Sequence, residues 1–399
     1  MSLPLSPWNS LPEVRQRVAA RDVFLCDCTL REGEQSAGAA FSLEKKIELA
    51  HRLDDIGIKQ IQVGYPGVSE EDKQIVKTFV AEGFRAKIES ISMIHVPNWR
   101  HHVEAGLECG VDIVSMQFGI SDIRLERVLR TTRAEVLQTI SEAVRYAKEQ
   151  GAFVSFSPTD ATRADPDFLI EVVRTLEEAG VDRLRVTDSM GACGPTGFRA
   201  MVEAVVGAVD VPVGVHVHND FGLAMANVCA SVEAGAHWVD CVVNGLGERS
   251  GNVSLDEVAM TLEHIYDFDT GIHLGRLTEL ARQVERMAQV PLAKSKPVVG
   301  ENAFAHQLDN HIRGVLADPA VYEPFPPELV GNQRRFPLGR LSGKYAVTMK
   351  LREFGVDPEA LDIEELVDWT RSQAERQGGS LSDDAFRTRV EEMTSSAKA

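Results

Sequence analysis

Long hydrophobic runs are missing from this chain of 399 residues. A helix that crosses a bilayer needs about 20 consecutive apolar residues, and no stretch here approaches that length. The start of the chain also lacks the basic segment followed by an apolar segment that marks a secretory signal peptide. We therefore expect no membrane partner and a cytoplasmic location.

Positive charge is also scarce, because 42 Lys and Arg stand against 60 Asp and Glu, a formal net charge of −18. Nucleic acids and anionic membranes select basic surfaces, so neither is expected as a partner. A negatively charged small substrate would need a local cationic pocket. The six cysteines form no CxxC pair and are expected to be buried thiols in a reducing compartment.

What the sequence does have is a regular alternation of short β-rich runs with longer amphipathic segments. The predicted strands are Val23–Cys28, Lys59–Gly64, Lys87–Met93, Asp112–Phe118, Phe153–Ser157, Arg183–Asp188, Val213–His218 and Trp238–Asn244. Helical spacing of apolar residues marks the intervening segments Leu43–Ile56, Glu70–Ala81, Arg133–Gln150, Asp167–Ala179, Pro195–Val209 and Leu223–Ala234.

Eight strand–helix units in about 250 residues are typical of an α/β fold, the (β/α)8 TIM barrel. A doubly wound open sheet is the competing fold, but no G-x-G-x-x-G motif follows the first strand. We predict an N-terminal extension (1–21), a catalytic barrel (22–270), an arm subdomain (271–345) and a small C-terminal helical region (346–399).

The most informative motif is His216-Val217-His218, at the end of the apolar run Val211–Val215. Residues two apart in a strand point to the same side, so both imidazoles should face one point. Two convergent imidazoles are a common start of a divalent metal site, provided that a carboxylate completes it. A pair of hydrogen-bonded structural histidines is the alternative.

Other polar segments follow the predicted strands at the barrel end where active sites lie. Arg31-Glu32-Gly33-Glu34-Gln35 follows the first strand and Ser189 the sixth, and the loop 244–252 after the eighth is rich in glycine. Together with the histidine pair, they place a cation, acids and amides around one rim.

These segments together resemble one family, the metal-dependent barrel enzymes that include the homocitrate, isopropylmalate and citramalate synthases, with hydroxymethylglutaryl-CoA lyase as a distant relative. The matching pieces are Asp27-x-Thr-Leu-Arg31-Glu32-Gly-Glu-Gln35, His216-x-His218-Asn-Asp and Gly245-x-Gly247-Glu-Arg-x-Gly-Asn252. A further match runs from Ala303 through His306, His311 and Tyr322 to Gly343, and it is characteristic of the synthases rather than of the lyase.

The resemblance implies a divalent cation (Mg²⁺, Mn²⁺, Co²⁺ or Zn²⁺) held by Glu32, His216 and His218, with Asn252 as a further ligand. It places Arg31 at the oxygen of the bound 2-oxo acid and Gln35 in the same pocket. The implied reaction is the condensation of acetyl-CoA with a 2-oxo acid, giving a 2-substituted malate and CoA.

The resemblance also implies that His311 and Tyr322 are the catalytic pair of the arm, which reaches the barrel of the partner subunit in a homodimer. A base must take a proton from the methyl group of acetyl-CoA, and we expect His311 to serve.

The chain departs from the family at several pocket positions. After the fifth strand the synthases carry Ser-x-Glu-Asp-Ala, whereas this chain has Thr159 in place of the glutamate. Either Asp160 substitutes for it or the proton relay is built differently. Gln62 stands where the family prefers Glu, and Ser189 where it prefers Thr. These changes indicate an unusual 2-oxo acid. One candidate is an acid with a phosphonate or another strongly anionic group, such as phosphonopyruvate, because fewer carboxylates nearby would repel it less.

Alternatives stay open for several residues and for the activity. Arg163 is either a ligand of the substrate carboxylate or a surface cap, and Asp27 is expected to orient Arg31 or to satisfy backbone amides. Glu248 and Arg249 are expected to pair with each other. A lyase or aldolase with the same metal site, or a catalytically silent ligand-binding homologue, would carry the same metal-binding motifs.

Overall fold

The structure is a computed structural model that describes residues 5–18 and 22–396. The predicted N-terminal extension (1–21) therefore lies partly outside the described residues. Within them the chain forms two compact units, a barrel unit (Pro7–Leu292) and a C-terminal unit (293–396), to which residues 5 and 6 also belong. No helix in this described part is long and apolar enough to cross a bilayer.

The barrel unit confirms the predicted (β/α)8 fold, because its eight parallel strands close in sequence order. The strands are β1 (Phe24–Asp27), β2 (Gln60–Gly64), β3 (Lys87–Met93), β4 (Ile113–Gly119), β5 (Val154–Thr159), β6 (Arg183–Asp188), β7 (Val213–Val217) and β8 (Trp238–Cys241). The barrel closes where β1 pairs with β8, with Cys26 opposite Asp240.

Helices connect the strands, and their ends follow local sequence signals. The Ser42 hydroxyl accepts a hydrogen bond from the N–H of Lys45 and so caps the first long helix. Thr132 and Glu135 form a reciprocal capping box. The α-helices of the unit are Pro12–Arg15, Leu43–Asp55, Glu70–Ala81, Trp99–Cys109, Asp122–Arg124, Arg133–Glu149, Pro166–Glu178, Pro195–Val206, Ala224–Glu233, Leu255–Met260 and Leu277–Ala288.

Tighter and wider helical turns complete the barrel unit. The 3-10 turns are Pro7–Ser10, Gln16–Val18, Gly33–Gln35, Ala161–Arg163, Val243–Gly245 and Leu274–Arg276, and the π turns are Leu125–Leu129 and Thr261–Ile265. Two of these turns bear on the site, because Gly33–Gln35 follows β1 and Val243–Gly245 follows β8.

The C-terminal unit is helical and has its own hydrophobic core. Its α-helices are Asp309–Ala317, Lys344–Glu353, Ile363–Gln377 and Asp383–Ser396, and its 3-10 turns are Pro319–Val321, Pro327–Val330 and Pro358–Ala360. Buried residues from each of these α-helices, among them Ile312, Leu351, Leu366 and Phe386, pack together. The segment 271–345, predicted as one arm, spans the division at Leu292, since helix Leu277–Ala288 belongs to the barrel unit.

Candidate active site

Three predicted metal ligands converge at the ends of β1 and β7. Glu32, His216 and His218 are all buried, and one ligand atom from each lies within 4.8 Å of the others. The strand period explains the convergence of the histidines: Val217, between them, points to the other side of β7. The structure thus brings together side chains that lie more than 180 residues apart in the sequence.

Glu32 is held so that its two carboxylate oxygens have different partners. Oε2 accepts a hydrogen bond from Arg31, whereas Oε1 lies 3.8 Å from Nε2 of His218 and 3.3 Å from Nδ2 of Asn252. Burial raises the pKa of Glu32, but the cationic neighbours, Arg31 first among them, outweigh it and hold the pKa at about 2. The carboxylate is therefore ionised and directs one oxygen toward the histidines.

His216 is oriented from behind by a buried carboxylate. Its Nδ1 lies 3.0 Å from Oδ2 of Asp240, and the same oxygen lies 2.9 Å from Nε of Arg185. Burial lowers the pKa of His216, but the hydrogen bond to Asp240 more than offsets it and brings the pKa to about 9. The bond fixes the ring, and the raised pKa means that a cation bound at Nε2 would have to displace a proton from the imidazole.

Asn252 reaches the same point from the loop after β8. An isolated antiparallel β-bridge pairs the backbone of Asn252 with that of His218. The buried Oδ1 of Asn252 has no hydrogen-bond partner among the described residues. Gly247 makes the approach possible. Its φ is +141°, and a Cβ there would lie 2.2 Å from Nδ2 of Asn252. Two imidazole nitrogens, a carboxylate oxygen and an unpartnered amide oxygen form a donor set that fits a divalent cation.

Arg31 is tied to a second buried network through Gln62. Its Nε donates to Oε1 of Gln62 at 2.6 Å, and Nε2 of Gln62 donates to Oε1 of Glu89 at 2.6 Å. Arg185 donates to both oxygens of Glu89, at 2.8 and 3.0 Å. A continuous chain of polar contacts therefore joins Arg31 to Arg185, and from there to Asp240 and His216.

A cavity of about 500 Å³ opens at this end of the barrel. It is lined by the ligand triad and by four other predicted site residues, Arg31, Gln35, Thr159 and Ser189. This is the size of an ordinary small-molecule site.

Asp160 and Arg163 do not line the cavity, and they bind each other instead. Arg163 donates to both carboxylate oxygens of Asp160, at 2.8 and 2.7 Å, and the Ser121 hydroxyl donates to Oδ2. Burial raises the pKa of Asp160. The hydrogen bonds lower it by more, so the pKa lies below its usual value. Its backbone N–H donates to the Ser189 hydroxyl at 2.9 Å. This geometry suits a positioning role for Asp160 better than that of a base.

Two other expectations have clear outcomes. Asp27 accepts hydrogen bonds from the backbone N–H and the hydroxyl of Thr29, both at 2.8 Å, so it satisfies a backbone amide as expected. The expected pair of Glu248 with Arg249 is wrong. Arg249 binds Asp220 at 2.8 Å and the carbonyl of Ser189 at 2.7 Å, because its left-handed backbone (φ +57°) turns the side chain toward β6 and β7.

Sequence reasoning missed the residues that support the ligands and several that line the cavity. Glu89, Arg185 and Asp240 are charged residues inside predicted strands, and a charge within a buried strand was the available signal. His95 lies in the loop after β3 and Arg124 ends the short helix after β4, and no sequence pattern separates either from surface residues. Both line the cavity.

In the C-terminal unit, the two predicted catalytic residues lie against each other. The rings of His311 and Tyr322 stack with centroids 4.2 Å apart, and Tyr322 is 45% exposed. The approach requires Gly314, where a Cβ would lie 2.5 Å from the Tyr322 ring. Nearby in the sequence, Nε2 of His306 lies 3.2 Å from Oε1 of Glu323, which also binds Arg334 at 2.7 and 2.6 Å.

Comparison with protein families gives two matches along the chain. Residues 22–284 match the family described as HMGL-like, and residues 298–378 match the domain described as homocitrate synthase post-HMGL domain-like. The first match alone covers more than half of the chain.

Curated relatives resemble the chain over nearly its whole length. Homocitrate synthase AksA of Methanopyrus kandleri is 42% identical over 369 residues, which are 92% of each chain. The protein named 2-isopropylmalate synthase 2 of Caldanaerobacter subterraneus is 43% identical over 335 residues, 84% of this chain and 86% of the relative.

Solved structures share the barrel fold. The HMG-CoA lyase of Bacillus subtilis matches with a TM-score of 0.60 at 20% identity and covers 69% of this chain and 97% of its own. Hydroxymethylglutaryl-CoA lyase of Pseudomonas aeruginosa matches with a TM-score of 0.60 at 21% identity, over 75% and 99% of the respective chains. At this identity the likeness concerns the fold alone. The chain belongs to the HMGL-like family and, within it, to the group of the homocitrate and 2-isopropylmalate synthases.

Proposed function

We propose that this protein is an acyltransferase that condenses acetyl-CoA with a 2-oxo acid and then hydrolyses the resulting CoA thioester with one water molecule, releasing CoA and a 2-substituted malate. The observation that carries the proposal is the convergence of Glu32, His216 and His218 beside Arg31 in one cavity. It occurs in a chain whose relatives are named homocitrate synthase and 2-isopropylmalate synthase.

In this proposal Glu32, His216 and His218 hold a divalent cation, and the amide oxygen of Asn252 is available as a further ligand. Mg²⁺, Mn²⁺, Co²⁺ and Zn²⁺ all suit a mixed set of nitrogen and oxygen donors. When bound, the cation supplies Lewis acidity at the ketone of a chelating 2-oxo acid.

Arg31 stabilises the charge that develops on the ketone oxygen during attack. Its guanidinium is held in the cavity wall by Glu32 and Gln62, so it is oriented before the substrate arrives. Such preorganised donors account for a large share of catalysis in many enzymes. Gln35, Thr159 and Ser189 line the same cavity and are proposed to contact the 2-oxo acid.

The base in this proposal is His311, which takes a proton from the methyl carbon of acetyl-CoA, with Tyr322 holding the imidazole by ring stacking. Both residues act on the barrel of the partner subunit in a homodimer that exchanges its arms. Asp160 is a poorer base because its oxygens already accept hydrogen bonds from Arg163 and Ser121. The Arg163 side chain serves to hold Asp160 rather than the substrate.

The activity is tested by following free thiol while the metal-loaded protein is offered acetyl-CoA with and without each of several 2-oxo acids. We expect thiol only when a 2-oxo acid is present. Cleavage of an acyl-CoA without that co-substrate would instead identify a lyase. Metal binding without any turnover would identify a silent homologue.

Arm exchange is tested by mixing two inactive variants, Glu32→Gln and His311→Ala, after their subunits have been allowed to re-pair. Half of randomly paired dimers are mixed, and each would hold one intact site, so about a quarter of wild-type activity should return. No recovery in dimers shown to be mixed would place His311 and the barrel site in the same subunit.

A further inference from the structure

Arg124 lines the wall of the active-site cavity and is not among the residues proposed to hold the metal or to act in the condensation. It ends the short helix Asp122–Arg124 after β4, and its side chain is 39% exposed. Its Nη1 donates to the hydroxyl of Thr159 at 3.3 Å, and its Nε lies 3.7 Å from Oδ2 of Asp160. The guanidinium is therefore positioned by neighbouring groups and still accessible from the cavity.

The other arginines that line the cavity in the described part of the chain each have a close carboxylate. Arg31 binds Glu32, Arg185 binds Glu89 and Asp240 within 2.9 Å, and Arg249 binds Asp220 at 2.8 Å. Their charges are compensated within the protein. Each can therefore donate to a substrate only while it also serves as an ion-pair partner.

Arg124 is compensated far less. The carboxylate nearest to it in an ion pair, Asp160, is 3.7 Å away and is already bound by Arg163 through two hydrogen bonds, at 2.7 and 2.8 Å. Because Asp160 is committed to Arg163, the charge of Arg124 is compensated less than that of the other cavity arginines. A negative group in the cavity could balance that charge at short range.

The residues around Arg124 suit a polar ligand group rather than a hydrocarbon one. Thr159, Gln117 and His95 line the same cavity and offer a hydroxyl, an amide and an imidazole. Thr159 is neutral, so it accepts from Arg124 without cancelling its charge, whereas a glutamate at this position would form an ion pair with it. Packing a branched aliphatic group here would desolvate the guanidinium without returning a hydrogen bond.

We propose that Arg124 determines substrate specificity by binding a second anionic group, a carboxylate or a phosphonate, at the end of the 2-oxo acid remote from its 2-oxo carboxylate. The inference rests on the proposed synthase function and specifies its substrate class. Arg31 and the ligand triad would hold the reacting end, and Arg124 the distal end. A planar guanidinium suits this task because it can donate two parallel hydrogen bonds to either anion.

The test compares kcat/KM, measured by thiol release, for five 2-oxo acids. Pyruvate and 2-oxoisovalerate lack a second anionic group, oxaloacetate and 2-oxoglutarate carry a carboxylate, and phosphonopyruvate carries a phosphonate. We expect the wild-type protein to prefer one of the last three, and the preferred one identifies the anion. Arg124→Gln should lower kcat/KM for that substrate about 10²–10³-fold, mainly through KM, and should lower its ratio to pyruvate by a similar factor.

Two further variants make the result specific. Arg124→Lys keeps the charge but loses the planar pair of donors, so it should recover part of the lost preference. Arg127→Gln removes an exposed arginine of the same segment that does not line the cavity, and it should leave every substrate within about twofold of wild type. Metal content and the urea unfolding midpoint are checked in each variant to confirm an intact fold.

A wild-type preference for 2-oxoisovalerate, or an Arg124→Gln variant that slows all five substrates equally, would overturn this inference while leaving the synthase function in place. Thiol release with none of the acids would overturn the synthase function itself, and the inference would fall with it.

Discussion

Two clusters in the barrel have the side-chain types and spacing of a metal site, and they differ in what already surrounds them. Glu32, His216 and His218 form one, and Cys26, Cys28 and Asp240 form the other. In the first cluster Oε1 of Glu32 makes only long contacts, to Nε2 of His218 at 3.8 Å and to Nδ2 of Asn252 at 3.3 Å. In the second, Asp240 already binds His216 and Arg185, and burial raises the pKa of both thiols.

The comparison teaches that a metal site depends on uncommitted donor atoms as much as on convergence. Asp240 connects the two clusters. It is a member of the second, and it holds the ring of His216 in the first while Arg185 balances its charge. A cation in the second cluster would have to displace those partners and deprotonate two buried thiols. We therefore propose that the first cluster holds the metal and that the second supports it.

The largest expected effect separates the two clusters directly. His218→Ala removes a ligand atom, so bound divalent metal should be lost and turnover should fall more than about 10³-fold, beyond the 10–100-fold typical of an outer partner. Metal content by elemental analysis and thiol release measure the two losses. The matched control is Cys26→Ala, which should keep both. Loss of metal from Cys26→Ala with metal retained in His218→Ala would reverse the assignment.

The next largest effect concerns the charge network that joins the clusters. Glu89 is fully buried and binds Arg183 and Arg185, so Glu89→Gln would leave two buried guanidiniums short of their anion. Removing one partner from a buried group of ion pairs typically lowers the free energy of unfolding by about 3–5 kcal/mol. Urea unfolding of the metal-free protein measures the loss.

Glu142→Gln is the control for this network, because Glu142 is exposed on helix Arg133–Glu149 and its change should fall within about 0.5 kcal/mol. Equal midpoints for Glu89→Gln and Glu142→Gln would mean that the network adds nothing to stability.

A smaller effect is expected where the clusters meet. Asp240→Asn keeps the shape but weakens the hold on His216, and outer partners of this kind are worth about 10–100-fold in metal affinity. Calorimetric titration with Mn²⁺ measures it, with Asp210→Asn, on the surface, as the control. If Asp240→Asn lowers the stability but leaves the Mn²⁺ affinity unchanged, the role of Asp240 is limited to its ion pair with Arg185.

The fold and the convergence of the ligands were predictable because each rests on a short-range periodicity. Alternating strands and helices predict a barrel, which the structure confirms, and a period of two places both histidines of β7 on one side. The end of β1 then had to meet the end of β7 at the same rim. None of this requires knowledge of which side chains are paired.

The pairing itself was not predictable from spacing. Glu89, Arg185 and Asp240 come from three different strands, and only the barrel's closure and register bring them into contact. Asp160 and Arg163 looked like site residues, but a left-handed backbone at Asp160 (φ +63°) accompanies their mutual ion pair. Arg124 differs from the other cavity arginines in its ion-pair partners, which spacing along the chain does not reveal.

Asp27 is a buried carboxylate whose hydrogen-bond donors are neutral, in contrast to Asp240. Asp27 accepts from the Thr29 backbone and hydroxyl, whereas Asp240 binds a guanidinium. Burial raises the pKa of Asp27 from 3.8 to about 7, and the Thr29 hydrogen bonds offset only part of that rise. Between these values the folded state binds a proton that the unfolded state has released. Protonation of Asp27 therefore stabilises the fold fully below about pH 4, and this stabilisation is lost as the pH rises through about 7.

The free energy of unfolding should accordingly fall with rising pH in this window, by up to one proton, or about 1.4 kcal/mol per pH unit. Asp27→Asn removes the titrating group. The unfolding free energy of this variant should therefore fall less steeply with pH than that of the wild type. Urea unfolding at pH 5, 6 and 7 compares the two proteins, and Asp384→Asn on the surface should keep the wild-type slope. Parallel slopes for wild type and Asp27→Asn would show that this carboxylate is ionised in the fold, which would require a compensating cation as at Asp240.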